Sequence, residues 1–429
     1  MTADRADPAD AGGAVGAGRA ADARAATIRG AAGGIGALVV ATFVAITTEM
    51  VPVGLLPLIS DDLGVTESVA GLLVTAYAFM VAVLAVPLTL GTRRLPRKGL
   101  LLTTLVIYTA SNVLVAFAPT FAVVAAARSL GGVAHAVFFS VSIGYASRLV
   151  RPYLTGRALA LVTAGGTAGF VLGVPLSTAL GTATDWRTAF LVLAGVCALA
   201  TAMIAVVLPP VPGGGAPPAD AARSTRRTAL ALAVTVNGLT FLGQYTVYTY
   251  VSVLLLAAGL GASTLGPVLL VLGALGLVGT AYAAARLDSH QRRTAVVALA
   301  TIGAGMLVVG LTFPGIVGVL VAAAVWSTGF GAAPSVLQTS AIRTHGASPD
   351  MTGALVNTTA NIGIGGGAAL GGAVLAGVGL GVVPFVGAAL VAGALGVVLL
   401  ARRTFPNPNP TTSPESLSDD GGAPPARTT

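Results

Sequence analysis

Long apolar runs, separated by short polar joints or joints marked by glycine and proline, recur along the whole chain. At about 1.5 Å rise per residue, runs of about 20 to 30 residues are long enough for a helix to cross a hydrocarbon layer about 30 Å thick. The pattern therefore predicts an all-α integral membrane protein with twelve transmembrane helices. The predicted spans are 35–59, 68–90, 99–118, 121–147, 155–181, 187–208, 228–257, 264–285, 294–313, 315–341, 353–378 and 380–401.

Composition supports this class of protein. Hydrophobic residues make up 55% of the 429-residue chain and charged residues only 9%, whereas a soluble domain has roughly 25% charged residues. In so apolar a chain, the net charge of +8 is typical of cytoplasmic loops that face anionic lipid. No basic cluster with interleaved aromatic residues occurs, so the expected partner is the lipid bilayer and not nucleic acid.

Basic residues are concentrated in every second loop between the spans. They follow spans two, four, six, eight, ten and twelve, whereas the loops on the other side carry Asp61, Asp62, Glu67 and Asp185, with Arg187 as their only base. The positive-inside rule places the basic loops and both termini in the cytoplasm. The expected location is a bacterial cytoplasmic membrane.

The longest internal break between spans lies between Leu208 and Thr228 and begins with a run rich in proline and glycine. It predicts two halves of six helices each. The expected organisation is a disordered cytoplasmic tail over 1–34, an N-terminal half over 35–208, a cytoplasmic linker over 209–227, a C-terminal half over 228–401 and a second disordered tail over 402–429.

Glycines at four-residue spacing indicate an internal repeat between the two halves. Span five and span eleven each carry three of them, Gly165, Gly169 and Gly173 in the first and Gly363, Gly367 and Gly371 in the second. Such a stripe lets another helix approach closely, and packing alone is a sufficient explanation for most of these glycines. Two parallel halves with a cavity between them at mid-membrane are nevertheless typical of transporters.

Span one carries a single carboxylate, Glu49, near its middle. An acid at the centre of a membrane helix costs roughly 2.5 kcal/mol or more to insert, so it usually faces an interior cavity and serves a function. The alternative is a structural glutamate that is protonated or hydrogen-bonded.

Span four carries the two other ionisable side chains that lie well inside a span, Arg128 and His135. Helical rise places Arg128 about 10 Å and Glu49 about 15 Å below the same surface, so the two side chains could pair. Loss of such a pair on a conformational change would couple a proton to the state of the protein. Arg128 could equally bond backbone carbonyls or anchor near the interface, and His135 could relay a proton or be a neutral, hydrogen-bonded histidine.

Span seven is the best candidate for a cavity wall. Its residues Asn237, Phe241, Gln244 and Tyr248 are spaced 4, 3 and 4 apart and share one helical face. Aromatic and amide groups together suit an amphiphilic organic substrate. Four further amides within spans complete the predicted substrate-binding set: Asn112, Gln338, Asn357 and Asn361. Each of them could instead hydrogen-bond to a neighbouring helix.

The absence of a nucleotide-binding motif narrows the possible energy sources for transport. A Walker A loop needs a lysine followed by serine or threonine, and the only lysine, Lys98, precedes Gly99. With one cysteine and no pair of histidines at ligand spacing, no metal site is expected. We therefore expect no cofactor and no enzymatic activity, and a carrier driven by the proton gradient.

Several short motifs together resemble the major facilitator superfamily. They are Thr47-Thr48-Glu49-Met50 with Gly54-Leu55-Leu56-Pro57, the run from Arg128 to His135, Gly173-Val174-Pro175-Leu176, and the run from Asp185 to Phe190. The resemblance is strongest over about residues 40–200 and points to the twelve-span drug:proton antiporters that include chloramphenicol-resistance and sugar-efflux permeases. It implies that Arg128 is the arginine involved in proton coupling, that Glu49 is the membrane acid, and that Gly165 to Pro175 is the antiporter signature.

The loop after span two departs from the family pattern. Arg93 stands in place of the usual aspartate and Pro96 in place of a glycine, while the basic residues Arg94 and Arg97 are retained. The conformational latch that the family attributes to this loop is therefore in question.

The sequence thus favours a monomeric, proton-coupled exporter of small amphiphilic molecules such as chloramphenicol-like drugs, working by alternating access. A sugar or metabolite exporter of the same fold is the nearest alternative, and a facilitator independent of any gradient is another. A membrane-embedded enzyme or sensor would need a catalytic constellation or a signalling domain, and neither is found.

Overall fold

The computed structural model describes residues 31–92, 94–146, 148–150, 155–211, 224–287, 289–347 and 349–401. Within them, twelve helices are long and apolar enough to cross a membrane, which confirms the predicted all-α fold and the number of spans. The helices are α1 Ala32–Asp62, α2 Glu67–Thr92, α3 Arg97–Ala116, α4 Phe121–Ala146, α5 Thr155–Ala168 with Gly169–Gly173 and Val174–Ala183, α6 Trp186–Val207, α7 Ser224–Tyr248 with Val251–Ala257, α8 Ala262–Arg286, α9 Gln291–Thr312, α10 Ile316–Ile342, α11 Pro349–Gly377 and α12 Val383–Leu400.

Several helices extend past the apolar runs that predicted them. Helix α1 continues through Asp61 and Asp62, and α7 begins at Ser224 instead of at residue 228. Helical hydrogen bonding continues through polar residues, so hydropathy underestimates helix length. Residues 1–30 of the predicted tail 1–34, the predicted tail 402–429 and most of the predicted linker 209–227 lie outside the described residues, and the domain boundaries remain a prediction. Helix α1 begins at Ala32, so the last residues of the predicted N-terminal tail are helical.

Buried apolar side chains form two large clusters. One is built from residues of α1 to α6. The other is built mainly from residues of α7 to α12, with a few members from the first half such as Met50 and Val174. Met50 and Val174 therefore lie where the two halves meet.

The two glycine stripes pack in the same way in both halves. The glycines of α5 face α1 and those of α11 face α7, and each step of four residues along the stripe matches a step of four along the facing helix. The contacts, with the glycine first, are Gly165 with Val39, Gly169 with Phe43, Gly173 with Thr47, Gly363 with Gly238, Gly367 with Leu242 and Gly371 with Thr246. A side chain at most of these positions would strike backbone, so the packing explanation of the repeat is sufficient.

Two ends of the bundle can be distinguished. We call the end where α1 begins and α12 ends the terminal face, and the end that carries the α1–α2 turn the opposite face. Among the hydrogen bonds that join the halves, three lie toward the opposite face: Ser68 Oγ to the Gly372 carbonyl at 2.7 Å, Thr75 Oγ1 to the Gly365 carbonyl at 2.9 Å, and Ser252 Oγ to the Val53 carbonyl at 2.9 Å. Helix α5 meets α8 at the same level, where Gly266 and Gly273 lie against Pro175 and Val171. The halves are thus closed against each other at the opposite face.

Gly367→Ala should destabilise the C-terminal half. An added Cβ would lie 2.5 Å from the Leu242 carbonyl oxygen and 2.8 Å from the Thr246 nitrogen, and overpacking of this kind costs about 1–3 kcal/mol. We expect a lower melting temperature of the purified protein in detergent. Gly393→Ala in α12 is the matched control, because nothing lies within 4 Å of its added Cβ; equal melting temperatures for the two variants would contradict the close packing of α11 on α7.

Candidate functional site

Glu49 lies in the middle of α1 and is 4% exposed. Its Oε2 is 3.7 Å from Nε2 of His135 on α4. Its Oε1 is buried and has no hydrogen-bond partner among the described residues. The acid is therefore an interior group with one oxygen available for a proton.

Arg128 on α4 is fully buried and binds the backbone of α1. Its guanidinium donates to the carbonyl oxygens of Thr48 and Glu49, the latter at 2.7 Å. Pro52 explains the first bond, because a proline inside a helix has no N–H for the carbonyl four residues earlier, here that of Thr48. Of the three arrangements considered from sequence, the structure thus shows the carbonyl-bonded arginine; no ion pair joins the Arg128 and Glu49 side chains in the described part of the chain.

His135 connects Glu49 to a tyrosine that the sequence did not single out. Its Nδ1 is hydrogen-bonded to the hydroxyl of Tyr77 on α2 at 2.9 Å, and the Tyr77 ring lies under the Arg128 guanidinium, 4.3 Å from ring centroid to Cζ. We call Glu49, Tyr77, Arg128 and His135 the acid cluster. Nothing in the sequence marks Tyr77, because a tyrosine within a span is unremarkable and its partners lie on other helices.

An aromatic cluster lies at the interface between the halves. It comprises Phe170 from α5, Phe241, Tyr245 and Tyr248 from α7, and Trp326 and Phe330 from α10. Phe170 stacks on Tyr248 with ring centroids 5.4 Å apart, and Phe330 meets Phe241 edge-on at 5.7 Å. Only Phe241 and Tyr248 were predicted. The other rings come from α5 and α10, and Tyr245 lies one turn after Phe241, outside the set that the 4, 3 and 4 spacing selected.

The contact between Tyr245 and Met50 brings the two clusters together. The hydroxyl of Tyr245 donates to Sδ of Met50 at 3.3 Å, and Met50 directly follows Glu49 in α1. The acid of the N-terminal half is thus adjacent to the aromatic cluster, which belongs mainly to the C-terminal half.

Two of the predicted amides of the C-terminal half, Gln244 and Asn237, bridge helices. Gln244 Oε1 accepts from the Trp326 indole at 2.7 Å, and Asn237 Nδ2 donates to the Val356 carbonyl at 2.9 Å. The Asn361 amide donates to the Asn357 carbonyl one turn earlier at 3.0 Å. Gln244 therefore belongs with the aromatic cluster, whereas the three asparagines lie along α7 and α11 beyond it.

Two predicted substrate-binding residues lie apart from these clusters. Asn112 is buried inside the N-terminal half, where its amide donates to Thr48 Oγ1 at 3.1 Å and to Cys197 Sγ at 3.6 Å. Gln338 is exposed, about two turns beyond Phe330 toward the terminal face. Spacing along one sequence could not reveal either position, because both depend on how helices pack.

Of the residues predicted to form conformational motifs, those in α5 pack against other helices, whereas those after α2 lie in or beside the loop before α3. Gly165, Gly169 and Gly173 face α1, and the carbonyl of Pro175 faces α8. After α2, Arg94 is exposed. The Arg97 backbone N–H donates to the Val211 carbonyl at 3.0 Å.

The neighbouring lysine fastens the same loop to α6. Lys98 Nζ donates to the carbonyls of Ala205 and Leu208 at 2.8 and 2.6 Å, at the end of α6. The end of this loop is thus held within its own half, and a latching role is not needed to explain the contacts of Lys98.

A bundle of twelve membrane helices in two repeated halves, with ionisable and aromatic groups where the halves meet, is the architecture of a secondary transporter. Residues 38–365 match the sequence profile of the Major Facilitator Superfamily. The chain belongs to this family and is a multi-pass membrane transporter.

Curated relatives are similar over most of their length. A probable sugar efflux transporter of Mannheimia succiniciproducens is 30% identical over 83% of this chain and 90% of the relative. A chloramphenicol efflux pump of Mycobacterium tuberculosis is 32% identical over 78% of this chain and 84% of the relative. Among solved structures, a bacterial homologue of the human lysosomal transporter Spinster, inward-facing and occupied, aligns with a TM-score of 0.68 at 15% identity over 86% of this chain and 96% of that chain, which supports the fold.

Arg128→Lys should lower stability, because a lysine ammonium lacks the planar fork with which the guanidinium reaches two adjacent carbonyls of α1. A buried carbonyl without a donor costs about 1–3 kcal/mol. We expect a clear drop in the melting temperature in detergent. Arg94→Lys, at an exposed position, should change stability by less than about 0.5 kcal/mol; an Arg128→Lys protein as stable as this control would show that the carbonyl bonds are dispensable.

Proposed function

We propose that this transporter is a proton-coupled antiporter that exports small amphiphilic organic molecules across a bacterial cytoplasmic membrane. The observation that carries the proposal is the position of Glu49, a buried carboxylate with an unpartnered oxygen, one residue from the Met50–Tyr245 contact. A proton site and a substrate site that touch can exclude one another or change one another's affinity. Coupling of this kind is what an antiporter requires.

The proton site is assigned to Glu49, with Arg128 and His135 in supporting roles. Acids inside membrane helices usually mark proton or ion pathways. Glu49 Oε1 is the atom that a proton would occupy. Arg128 supplies a fixed positive charge whose hydrogen bonds to the α1 backbone hold it beside the acid.

The substrate site is assigned to the aromatic cluster with Gln244. Six rings and one amide offer a broad apolar surface and few hydrogen bonds, which suits drug-like molecules with a planar ring. The name of the mycobacterial relative agrees with this substrate class, and the expected medical consequence is resistance to such antibiotics.

A sugar or metabolite exporter is the second candidate. The name of one relative favours it. A sugar would need many convergent hydrogen-bonding groups, whereas the amide nitrogens of Asn237 and Asn361 already donate to protein groups, which leaves only their oxygens. A facilitator independent of any gradient would have no need of Glu49.

Alternating access is supported by the closure of the halves at the opposite face. If the positive-inside rule gives the orientation, the opposite face is external, and the described state would load substrate from the cytoplasm. Separation of the Ser252–Val53 and Ser68–Gly372 contacts would open the external side. A monomer without a cofactor would suffice for this cycle, with protons and substrate as its only ligands.

Glu49→Gln should abolish proton coupling, because the amide cannot exchange a proton. In everted membrane vesicles with an acidified lumen, a transported compound should release the pH gradient, as a pH-sensitive dye reports, with wild type and not with the variant. The panel includes chloramphenicol, other hydrophobic drugs and simple sugars, so the responding compound also names the substrate class.

Glu67→Gln is the matched control, since Glu67 lies in the first turn of α2 at the opposite face. It should release the gradient as wild type does. Equal dye responses from Glu49→Gln and wild type would refute the proton assignment, and counterflow of labelled compound with no proton requirement would indicate a facilitator.

Phe170→Leu should weaken transport of ring-bearing substrates, because it removes the ring that the N-terminal half contributes to the aromatic cluster. An aromatic pair is worth about 0.5–1.5 kcal/mol beyond its buried area, so the KM for chloramphenicol uptake into everted vesicles should rise about 2- to 10-fold. Phe117→Leu, at a position that is 72% exposed, should leave KM unchanged. A larger effect on a simple sugar than on chloramphenicol would favour the sugar exporter.

A further inference from the structure

Tyr77 contacts two members of the acid cluster at once, and nothing above gives it a function. Its hydroxyl is bonded to Nδ1 of His135, and its ring lies under the guanidinium of Arg128. It is fully buried in α2, between α1, which carries Glu49, and α4, which carries the arginine and the histidine. Its hydroxyl therefore has a specific partner in the region where the proton is proposed to bind.

The hydrogen bond between Tyr77 and His135 affects which nitrogen of the histidine ring carries the hydrogen. A neutral imidazole has one N–H and one acceptor nitrogen, and the partner of one nitrogen decides the state of the other. If the Tyr77 O–H donates to Nδ1, the hydrogen of neutral His135 lies on Nε2. That nitrogen faces Oε2 of Glu49 at 3.7 Å.

We propose that Tyr77 is a positioning residue for proton exchange: it holds neutral His135 in the tautomer that presents Nε2–H to the Glu49 carboxylate. The ionised carboxylate can accept this hydrogen, whereas a protonated carboxyl must turn its O–H toward another acceptor. Tyr77 thereby makes the histidine respond to the charge of Glu49 without itself exchanging the proton. The inference rests on the proposed role of Glu49 as the proton site.

The surroundings leave Tyr77 as the group best placed for this function. The titratable side chains around Glu49 and His135 come from five helices: Tyr77, Tyr108, Arg128, Cys197 and Tyr245. The ring of Tyr108 is nearly perpendicular to that of the histidine, with centroids 6.3 Å apart, and the Tyr108 side chain interacts with the Tyr77 hydroxyl. The Arg128 guanidinium donates to α1 carbonyls, Cys197 accepts from Asn112, and Tyr245 donates to Met50.

The test is a pH titration of Glu49 in the purified full-length protein in liposomes, with no substrate required. Infrared difference spectra report the carbonyl stretch of a protonated carboxyl, and the Glu49 band is identified by its loss in Glu49→Gln. Tyr77→Phe keeps the ring under Arg128 and removes only the hydroxyl. It should move the midpoint of the band by about half a pH unit or more.

A double-mutant cycle separates positioning from a general structural effect. His135→Gln keeps a side-chain N–H and has no tautomers, so adding Tyr77→Phe to His135→Gln should not move the midpoint further. Tyr145→Phe is the control for loss of a buried tyrosine hydroxyl, because Tyr145 donates to the Pro209 carbonyl at the end of α6 and lies outside the acid cluster. Its midpoint should equal that of wild type.

Three outcomes would overturn the proposal: an unchanged midpoint in Tyr77→Phe, the same shift with and without His135→Gln, or a Glu49 band that does not change between about pH 5 and 9. A transport assay distinguishes failure of the positioning proposal from failure of the proposed function. If Glu49→Gln loses proton-coupled export while Tyr77→Phe titrates as wild type, the positioning role alone is wrong. If Glu49→Gln exports normally, the proposed function is wrong.

Discussion

The structure depends on a backbone constraint in α1. Inside a membrane, every backbone carbonyl needs a donor from the protein, and Pro52 removes the N–H that would serve the carbonyl of Thr48. Arg128 replaces it and binds the carbonyl of Glu49 as well. The bond fixes α4 against α1 at the level of the acid, and it places a buried positive charge beside Glu49. One proline thus accounts for both a structural bond and the electrostatic setting of the proposed proton site.

The second proline of α1 also leaves a carbonyl without its helical donor, and here the replacement donor comes from the other half. Pro57 leaves the carbonyl of Val53 without its helical donor, and Ser252 of α7 donates to it. This bond lies on the side where the halves are closed. Its loss on opening would expose a carbonyl that water could then serve. The two prolines therefore give α1 one bond inside its own half and another that only the closed arrangement provides.

The proposed function depends on how these contacts place the buried acid next to the aromatic cluster. Glu49 and His135 belong to the N-terminal half, while most of the aromatic cluster belongs to the C-terminal half, and Met50 and Tyr245 join them. A motion of one half against the other must change that junction. The glycine stripes keep α5 on α1 and α11 on α7, so each half can move as a unit. In the proposed antiporter, proton binding and substrate binding would share one movable boundary, and this would be the physical basis for their coupling.

The sequence alone determined the number and order of the membrane helices, because burial in lipid is decided by apolar residues contiguous in the chain. It also identified Glu49, Arg128 and His135 as ionisable groups inside spans, and the glycine stripes as a repeat. Only the tertiary structure decided what these groups touch. Arg128 binds carbonyls, Asn112 lies inside one half, and Phe170 and Tyr77 join the sites from helices that no spacing rule connects. Helices cross the bilayer as separate units, and the contacts between them arise from packing among residues far apart in the chain.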